Sequence, residues 1–224
     1  MTKITYDKPR GTVFSVLNST GKFHTEVSPE AEGAMRREYE TSDGAKGVKY
    51  EHVAGAIEGI ITNISIYEGD YGKQIQLDIG EGEELVTIFL STQSSFGEDF
   101  MKKLPNIKVA EAVRLVPFSF EDEKGKKRRG LTIYQNEQKV EGYYHKKDGN
   151  KISAINGYPE IPADVSEYGS EEWRLFFGNA RVFLLNELKK NPLYNKTTKT
   201  EALKTAITPE NYPKDEIKPE DIPF

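Results

Sequence analysis

From His52 onward, apolar and polar residues alternate along the chain for about ninety residues. In GIITNISIY, Ile60, Ile64 and Ile66 fall on one face with Thr62 between them, and Ile61, Asn63, Ser65 and Tyr67 take the other. A period of two is the signature of a half-buried strand. EGDYG (68–72) is turn chemistry, after which KQIQLDIG places Ile75, Leu77 and Ile79 inward and Gln74, Gln76 and Asp78 outward. EGE (81–83) supplies the next turn, and ELVTIFLS (84–91) carries Val86, Ile88 and Leu90 on one face. Three such strands joined by tight turns predict an antiparallel meander.

The period then switches. In SSFGEDFMKKLPNI the apolar residues Phe96, Phe100, Met101 and Leu104 recur at helical spacing, with Ser95 as cap and Pro105 as stop. KVAEAVRLVPFSFE (108–121), a basic turn, GLTIYQ and KVEGYYH (139–145) read as further strands. The order strand, strand, strand, helix, strand, strand predicts a mainly β protein, a five-stranded antiparallel barrel of the OB-fold type. Gly55 and Gly59 give the long first strand the freedom to bend.

Residues 1–50 hold a short apolar stretch (Val13, Phe14, Val16, Leu17) and a predicted short helix near Ala31 to Tyr39, and are expected to be an extension packing on the barrel. The barrel unit, 51–194, ends in SEEWRLFFGNARVFLLNELKK (170–190), an amphipathic helix with Ser170 as N-cap. Its apolar stripe is Trp173, Phe176, Phe177, Ala180, Leu184 and Leu188, which assigns Trp173 to the core. Pro192 closes it, and residues 195–224 are threonine, lysine, proline and acid, the composition of a disordered tail.

The chain has 224 residues and no cysteine, which excludes disulfides, thiolate zinc sites and a cysteine nucleophile. His24, His52 and His145 are too widely spaced to suggest a histidine-rich metal site. No apolar run approaches the roughly 18 residues of a membrane span, and the first ten residues lack the apolar core of a signal peptide, so a cytoplasmic protein is expected. There is no P-loop, no G-x-G-x-x-G after a strand, no H-E-x-x-H and no G-x-S-x-G. Asp70, Asp78 and Glu111 offer the raw material of a two-metal carboxylate site, but turn and exposed-strand preferences account for them without one. No catalytic residue, metal ligand or cofactor is assigned.

Charge redraws the picture. The formal net charge is −5, which argues against phosphate binding, yet residues 209–224 alone carry −3, leaving −2 for residues 1–208. KGKKRRG (124–130) carries five bases in seven residues and no acid. Lys124, Lys126, Lys127, Arg128 and Arg129 thus sit at a predicted hairpin tip, beside strands bearing Phe118, Phe120, Tyr134, Tyr143 and Tyr144. Tyr67 and Tyr71 flank the first hairpin turn. Cations that track phosphates next to aromatic faces that stack bases are how single strands are bound. The competing reading is a solvated turn with the aromatics in the core, and Phe118 and Phe120 share a face with Val116 that suits burial. On an OB barrel the binding reading is preferred.

The chain ends in PEDIPF after the acidic, proline-rich stretch. With an OB-like barrel and a basic, aromatic hairpin, this terminus resembles the single-stranded DNA-binding proteins of bacteria and their phages. In that family an acidic tip ending in Asp-Ile-Pro-Phe or a close relative docks replication and repair partners. The resemblance is specific over the last four to six residues and architectural over 52–145, while 1–50 and 150–195 have no counterpart in the usual bacterial protein and the tail is shorter and poorer in glycine. These departures point to a phage-type version and leave the family's tetramer an open matter between monomer and homo-oligomer.

The resemblance implies a sequence-independent single-stranded DNA-binding protein of replication or recombination. Tyr67, Tyr71, the five bases, Tyr134, Tyr143 and Tyr144 would then face DNA, and Glu220, Asp221, Ile222, Pro223 and Phe224 would recruit partners. The alternatives are a metal-dependent nuclease or other nucleic-acid-processing enzyme on an OB platform, or a protein adaptor.

Overall fold

Ile75, Leu77 and Ile79 are almost completely buried, as their alternation requires, and they lie near one end of a long mixed sheet. A computed structural model describes residues 12–41, 44–69, 72–148, 151–162, 164–166 and 168–195. The fold is mainly β. Strands β1 (Thr12–Leu17), β2 (Lys22–Glu26), β3 (Met35–Glu40), β4 (Lys46–Ala54), β6 (Ile61–Gly69), β7 (Gly72–Ile79) and β8 (Val86–Ser91) form a seven-stranded sheet in the order β3-β4-β2-β1-β8-β7-β6. β5 (Ile57–Gly59), β9 (Val113–Glu121), β10 (Lys127–Gln135) and β11 (Gln138–Lys139) form a second sheet in the order β11-β10-β9-β5. A small hairpin pairs β12 (His145–Asp148) with β13 (Lys151–Ala154).

The meander is present as β6-β7-β8, all antiparallel. One detail of its register differs from strict alternation. A shift between Ile61 and Asn63 inserts a residue, so Ile61 and Ile64 both turn inward while Ile60 is 44% exposed. A bulge of this kind reverses the phase of every side chain before it.

The expected five-stranded closed barrel is corrected to two open sheets, because both edges of the meander are already occupied. On one side β1 pairs in parallel with β8 from Thr12↔Val86 to Ser15↔Phe89. On the other, the Ile64 amide donates to the Leu193 carbonyl (3.0 Å) and the Asn195 amide donates to the Ile64 carbonyl (2.8 Å). Among the described residues β10 pairs with β9 and β11 and with neither outer strand of the meander. Residues 1–50 were expected to be an extension packed on the barrel; of their described part, β1, β2, β3 and the start of β4 are hydrogen-bonded strands of the same long sheet. Where a helix was expected near Ala31 to Tyr39, Met35–Glu40 is the edge strand β3, because Arg37 and Tyr39 alternate toward β4 rather than making a helical stripe.

Helix α1 (Ser95–Lys103) follows β8 and is capped by Ser94, whose hydroxyl accepts from the Gly97 amide (3.2 Å); the cap is one residue earlier than Ser95. Phe96, Phe100, Met101 and Leu104 are all buried between the sheets. The outward side of α1 closes a different gap. Asp99 accepts from the Leu131 amide (2.8 Å), and the Lys103 ammonium donates to the Leu131 carbonyl. Burial pushes the Asp99 carboxyl above the ordinary range against the pull of Lys103, and pushes the Lys103 amine down. Since both backbone groups of Leu131 face α1, its cross-strand partner Pro117 lies at a position where no ladder bond is lost to its missing N–H.

The turn between β1 and β2 rests on the other end of β9. Gly21 has φ +59, and a Cβ there would lie 2.1 Å from the Ser119 amide nitrogen, so only glycine fits. On the outward face of the long sheet, Glu51 is held by Arg37 through two bonds (2.7 and 2.8 Å) and contacts His24 Nδ1 (2.9 Å). Burial alone would raise the Glu51 pKa, but hydrogen bonds and charge from Arg37 and His24 outweigh it and hold it at about 2.

Helix α2 (Ser170–Leu188) begins at Gly169, whose amide donates to Glu172 (2.8 Å). Ala180, Leu184 and Leu188 enter the core, and Phe183 packs edge-on to Tyr144 and Tyr158. Trp173, assigned to the core on its helical stripe, is only half-buried, stacked on Phe177 at 5.8 Å, because the first half of the helix runs past the core. Among the described residues no helix is long and apolar enough to cross a membrane.

Two predictions follow from these contacts. Asp99→Ala leaves a buried amide without its acceptor and should destabilise the fold by about 1–3 kcal/mol in urea unfolding. Glu51→Gln should cost about 3 kcal/mol near neutral pH, since it strips one member from a buried ionic pair. A carboxylate whose folded pKa is lowered stabilises the fold fully above its unfolded pKa, ordinarily near 4.5. The gap between wild type and Glu51→Gln should therefore close as pH falls from about 4.5 toward 2, which acid titration of the unfolding midpoint checks.

Candidate nucleic-acid interface

The basic hairpin is built around one carboxylate. Asp122 accepts from the amides of Lys126 (2.9 Å) and Lys124 (3.0 Å) and from Arg128 Nε (2.9 Å). The Lys126 amide and the Arg128 guanidinium hold its carboxyl below the ordinary Asp range. Gly125 takes the positive φ of +74 that the turn requires, and the Asp122 amide closes the loop onto the Lys126 carbonyl (2.9 Å). Lys124 and Lys127 are exposed, and Arg128 is half-exposed.

Strand alternation sorts the residues of β9 and β10 onto two faces. Val113, Leu115, Leu131 and Ile133 are at most 1% exposed and mark the inner face. Arg114, Val116, Phe118 and Phe120 therefore point outward, as do their cross-strand partners Tyr134, Thr132, Gly130 and Arg128. Phe120 is 56% exposed and directly opposite Arg128, and its ring lies 5.8 Å from that of Phe118. Phe118 lies over Gly130, where a Cβ would come 2.8 Å from its ring and 2.4 Å from Asp99 Oδ2. At Arg114↔Tyr134 a second cation and ring stand side by side. From Arg114 to Phe120 this ribbon is about 20 Å long, at the usual rise of a strand.

The other candidates are distributed differently. Lys127 and Arg129 alternate onto the opposite face of β10, across from Glu121 and Ser119. Tyr143 is partly exposed at 38%, but Tyr144, expected to contact DNA, is 2% exposed between Tyr143, Tyr158 and Phe183; its ring is sealed in the core and has no face to offer a base. The segment expected as a strand through 139–145 is a loop at Gly142–Tyr144, which swings Tyr144 inward. Burial, followed by the charges of Glu187 and Tyr143, pushes the Tyr144 hydroxyl up to about 12. Tyr71, Asp70 and the terminal Glu220, Asp221, Ile222, Pro223 and Phe224 lie outside the described residues.

Tyr67 belongs to the long sheet. It stands on the outward face of β6, edge-on to Phe89 of β8 at 5.9 Å. The same face holds Ser65, Gln74 and Gln76, through the pairs Ser65↔Gln76, Tyr67↔Gln74 and Gln76↔Phe89. Ser65 Oγ and the Oε1 atoms of both glutamines are buried without a hydrogen-bond partner. Beside them Asp78 accepts from Asn63 (2.8 Å), Thr87 (2.8 Å) and Gln76 (3.2 Å), a closed network. Glu111 is engaged with Lys108 (3.3 Å) and Asn136 (2.7 Å). Among the described residues no three His, Asp or Glu side chains gather as a metal-binding group.

Compared with protein-family models, curated proteins and solved structures, the chain matches none.

Reading the sequence for charge found the hairpin but underrated its strands. Phe118, Phe120 and Arg114 join the site only when the inner face is fixed by Leu115 and Leu131. The signal was available in the period of two, because Phe118 and Phe120 are out of phase with Val113 and Leu115. If this face is outward, Phe120→Ala should change stability by no more than about 0.5 kcal/mol, while Leu115→Ala should cost about 2–5 kcal/mol in the same unfolding assay.

Proposed function

We propose that this chain binds single-stranded nucleic acid, DNA foremost, without sequence preference, and that the outward ribbon of β9 and β10 is the principal contact. The observation that carries the reading is an exposed Phe120 set between Phe118 and Arg128 beside a turn of five bases. Water does not favour a phenylalanine in that setting, whereas a nucleobase does: each base stacked on an aromatic ring contributes about 1–3 kcal/mol. Arg128, Lys124, Lys126 and Arg114 follow the phosphates on this face, and Lys127 and Arg129 extend the positive field around the hairpin. Tyr134 supplies a further ring.

Tyr67, half-buried edge-on to Phe89 on the outward face of the long sheet, supports a second, smaller contact there. The meander, the helix after it and the β9–β10 hairpin with β5 on its edge support the reading as an OB-type fold opened by extra strands. The terminal Glu220 to Phe224 fits a partner-docking tip. An apolar ring and a carboxylate meet in one residue, Pro223 stiffens the approach, and the acids steer toward basic pockets on replication or recombination proteins. The protein coats exposed strands and needs no cofactor to do so.

Titration of a labelled single strand against increasing salt tests the ribbon. Phe120→Ala with Phe118→Ala should weaken binding by about tenfold or more with the salt slope unchanged, since stacking carries no counterions. Alanine at Lys124, Lys126, Lys127 and Arg128 should instead reduce the slope by about 0.7 for each phosphate contact removed from a single strand. Equal affinity for duplex, or breakdown of the oligonucleotide in magnesium or manganese, would reject the proposal in favour of an enzyme or an adaptor. Deleting residues 219–224 should leave DNA binding equal or tighter at low salt and abolish capture of replication proteins.

A further inference from the structure

Helix α2 is apolar on two sides, and the described residues cover only one of them. Ala180, Leu184 and Leu188 enter the core, at no more than 2% exposure. On the far side Leu175 is 66% and Val182 57% exposed, with Gly178 between them, and Leu185 marks the rim, half-buried with part of its side chain packed against the core. The spacing 175, 178, 182, 185 is the three-four-three pattern of a helix-pairing seam. Beside Gly178 there is open space, with no atom within 4 Å of where a Cβ would be, so a second backbone can approach closely.

The seam is also self-complementary. Turned end over end about the level of residue 180, it sets Leu175 opposite Leu185, Gly178 opposite Val182, and Glu171 opposite Lys189. A small residue then meets a branched one, and an acid of the first turn meets a base just past the last. Antiparallel pairing further aligns opposite helix dipoles. A two-fold interface requires a surface that matches itself in this way.

We propose that α2 is a homodimerisation helix, pairing antiparallel with α2 of a second copy of this chain through Leu175, Gly178, Val182 and Leu185. The second copy is the occupant that this charge pattern fits, because both ends of the seam are satisfied by the chain's own residues. The inference is independent of nucleic-acid binding, and its test needs none.

Sedimentation equilibrium of the full chain over a wide concentration range should show a reversible monomer–dimer transition. Leu175→Glu and Val182→Glu change exposed positions, so each should leave circular dichroism and the unfolding midpoint intact while shifting the chain to monomer. Glu171→Lys alone should weaken the dimer at least several-fold, and Glu171→Lys combined with Lys189→Glu should restore it. A chain that is monomeric at every concentration overturns the proposal, as does a dimer that survives Leu175→Glu and Val182→Glu. A dimer that ignores the exchange of charge between Glu171 and Lys189 overturns the antiparallel pairing.

Discussion

The open edges of β-strands govern this structure. A strand edge is a row of donors and acceptors that must be paired, covered or exposed to water. At Leu131, in the middle of β10, the edge is met by side chains: Asp99 takes the amide and Lys103 the carbonyl, both from one face of α1. They are one helical turn apart and 3.5 Å from each other, so the pair that satisfies the backbone also satisfies itself. The remaining edges of the meander are taken by β1 and by Leu193–Asn195. The result is two open sheets held around α1.

That arrangement decides which surfaces are available. The inner faces of both sheets are filled by aliphatic residues and by Phe23, Phe96 and Phe100, which are at most 1% exposed. The outward face of β9 and β10 stays partly exposed, most of all at Phe120 and Arg114, and alternation delivers Phe118, Phe120, Arg128, Arg114 and Tyr134 to it without any special backbone device beyond Gly130. Asp122 fixes the turn that brings the lysines to the same end. Aromatic area and positive charge are thus held on a rigid two-stranded support. Rigidity lowers the ordering cost of binding a flexible strand.

Much of this was legible in the sequence, and the exceptions have physical causes. The three meander strands and α1 could be read because each has one buried face and a clean period. β6 was misread at its start because a bulge adds a residue that leaves no mark in composition. The closed barrel failed for a non-local reason: whether β1 or β10 pairs with β8 depends on strand partners far apart in the chain, and periodicity carries no information about partners. Arg37 and Glu51 illustrate the same limit. No local pattern links these two residues, yet they meet across β3 and β4 and are partly or wholly buried. The basic run does fall at the β9–β10 hairpin, but Tyr144 looked the same as Tyr143 until a loop turned one ring inward and left the other partly exposed.

The central claim is that nucleobases lie on the outward face of β9 and β10. Photo-crosslinking with a single-stranded oligonucleotide carrying 5-bromodeoxyuridine, followed by mass spectrometry of the peptides, reads this contact directly. The account predicts crosslinks at Phe118, Phe120 and Tyr134, lost at high salt and absent from Tyr144. Crosslinks confined to other parts of the chain, with none on β9 or β10, would contradict it.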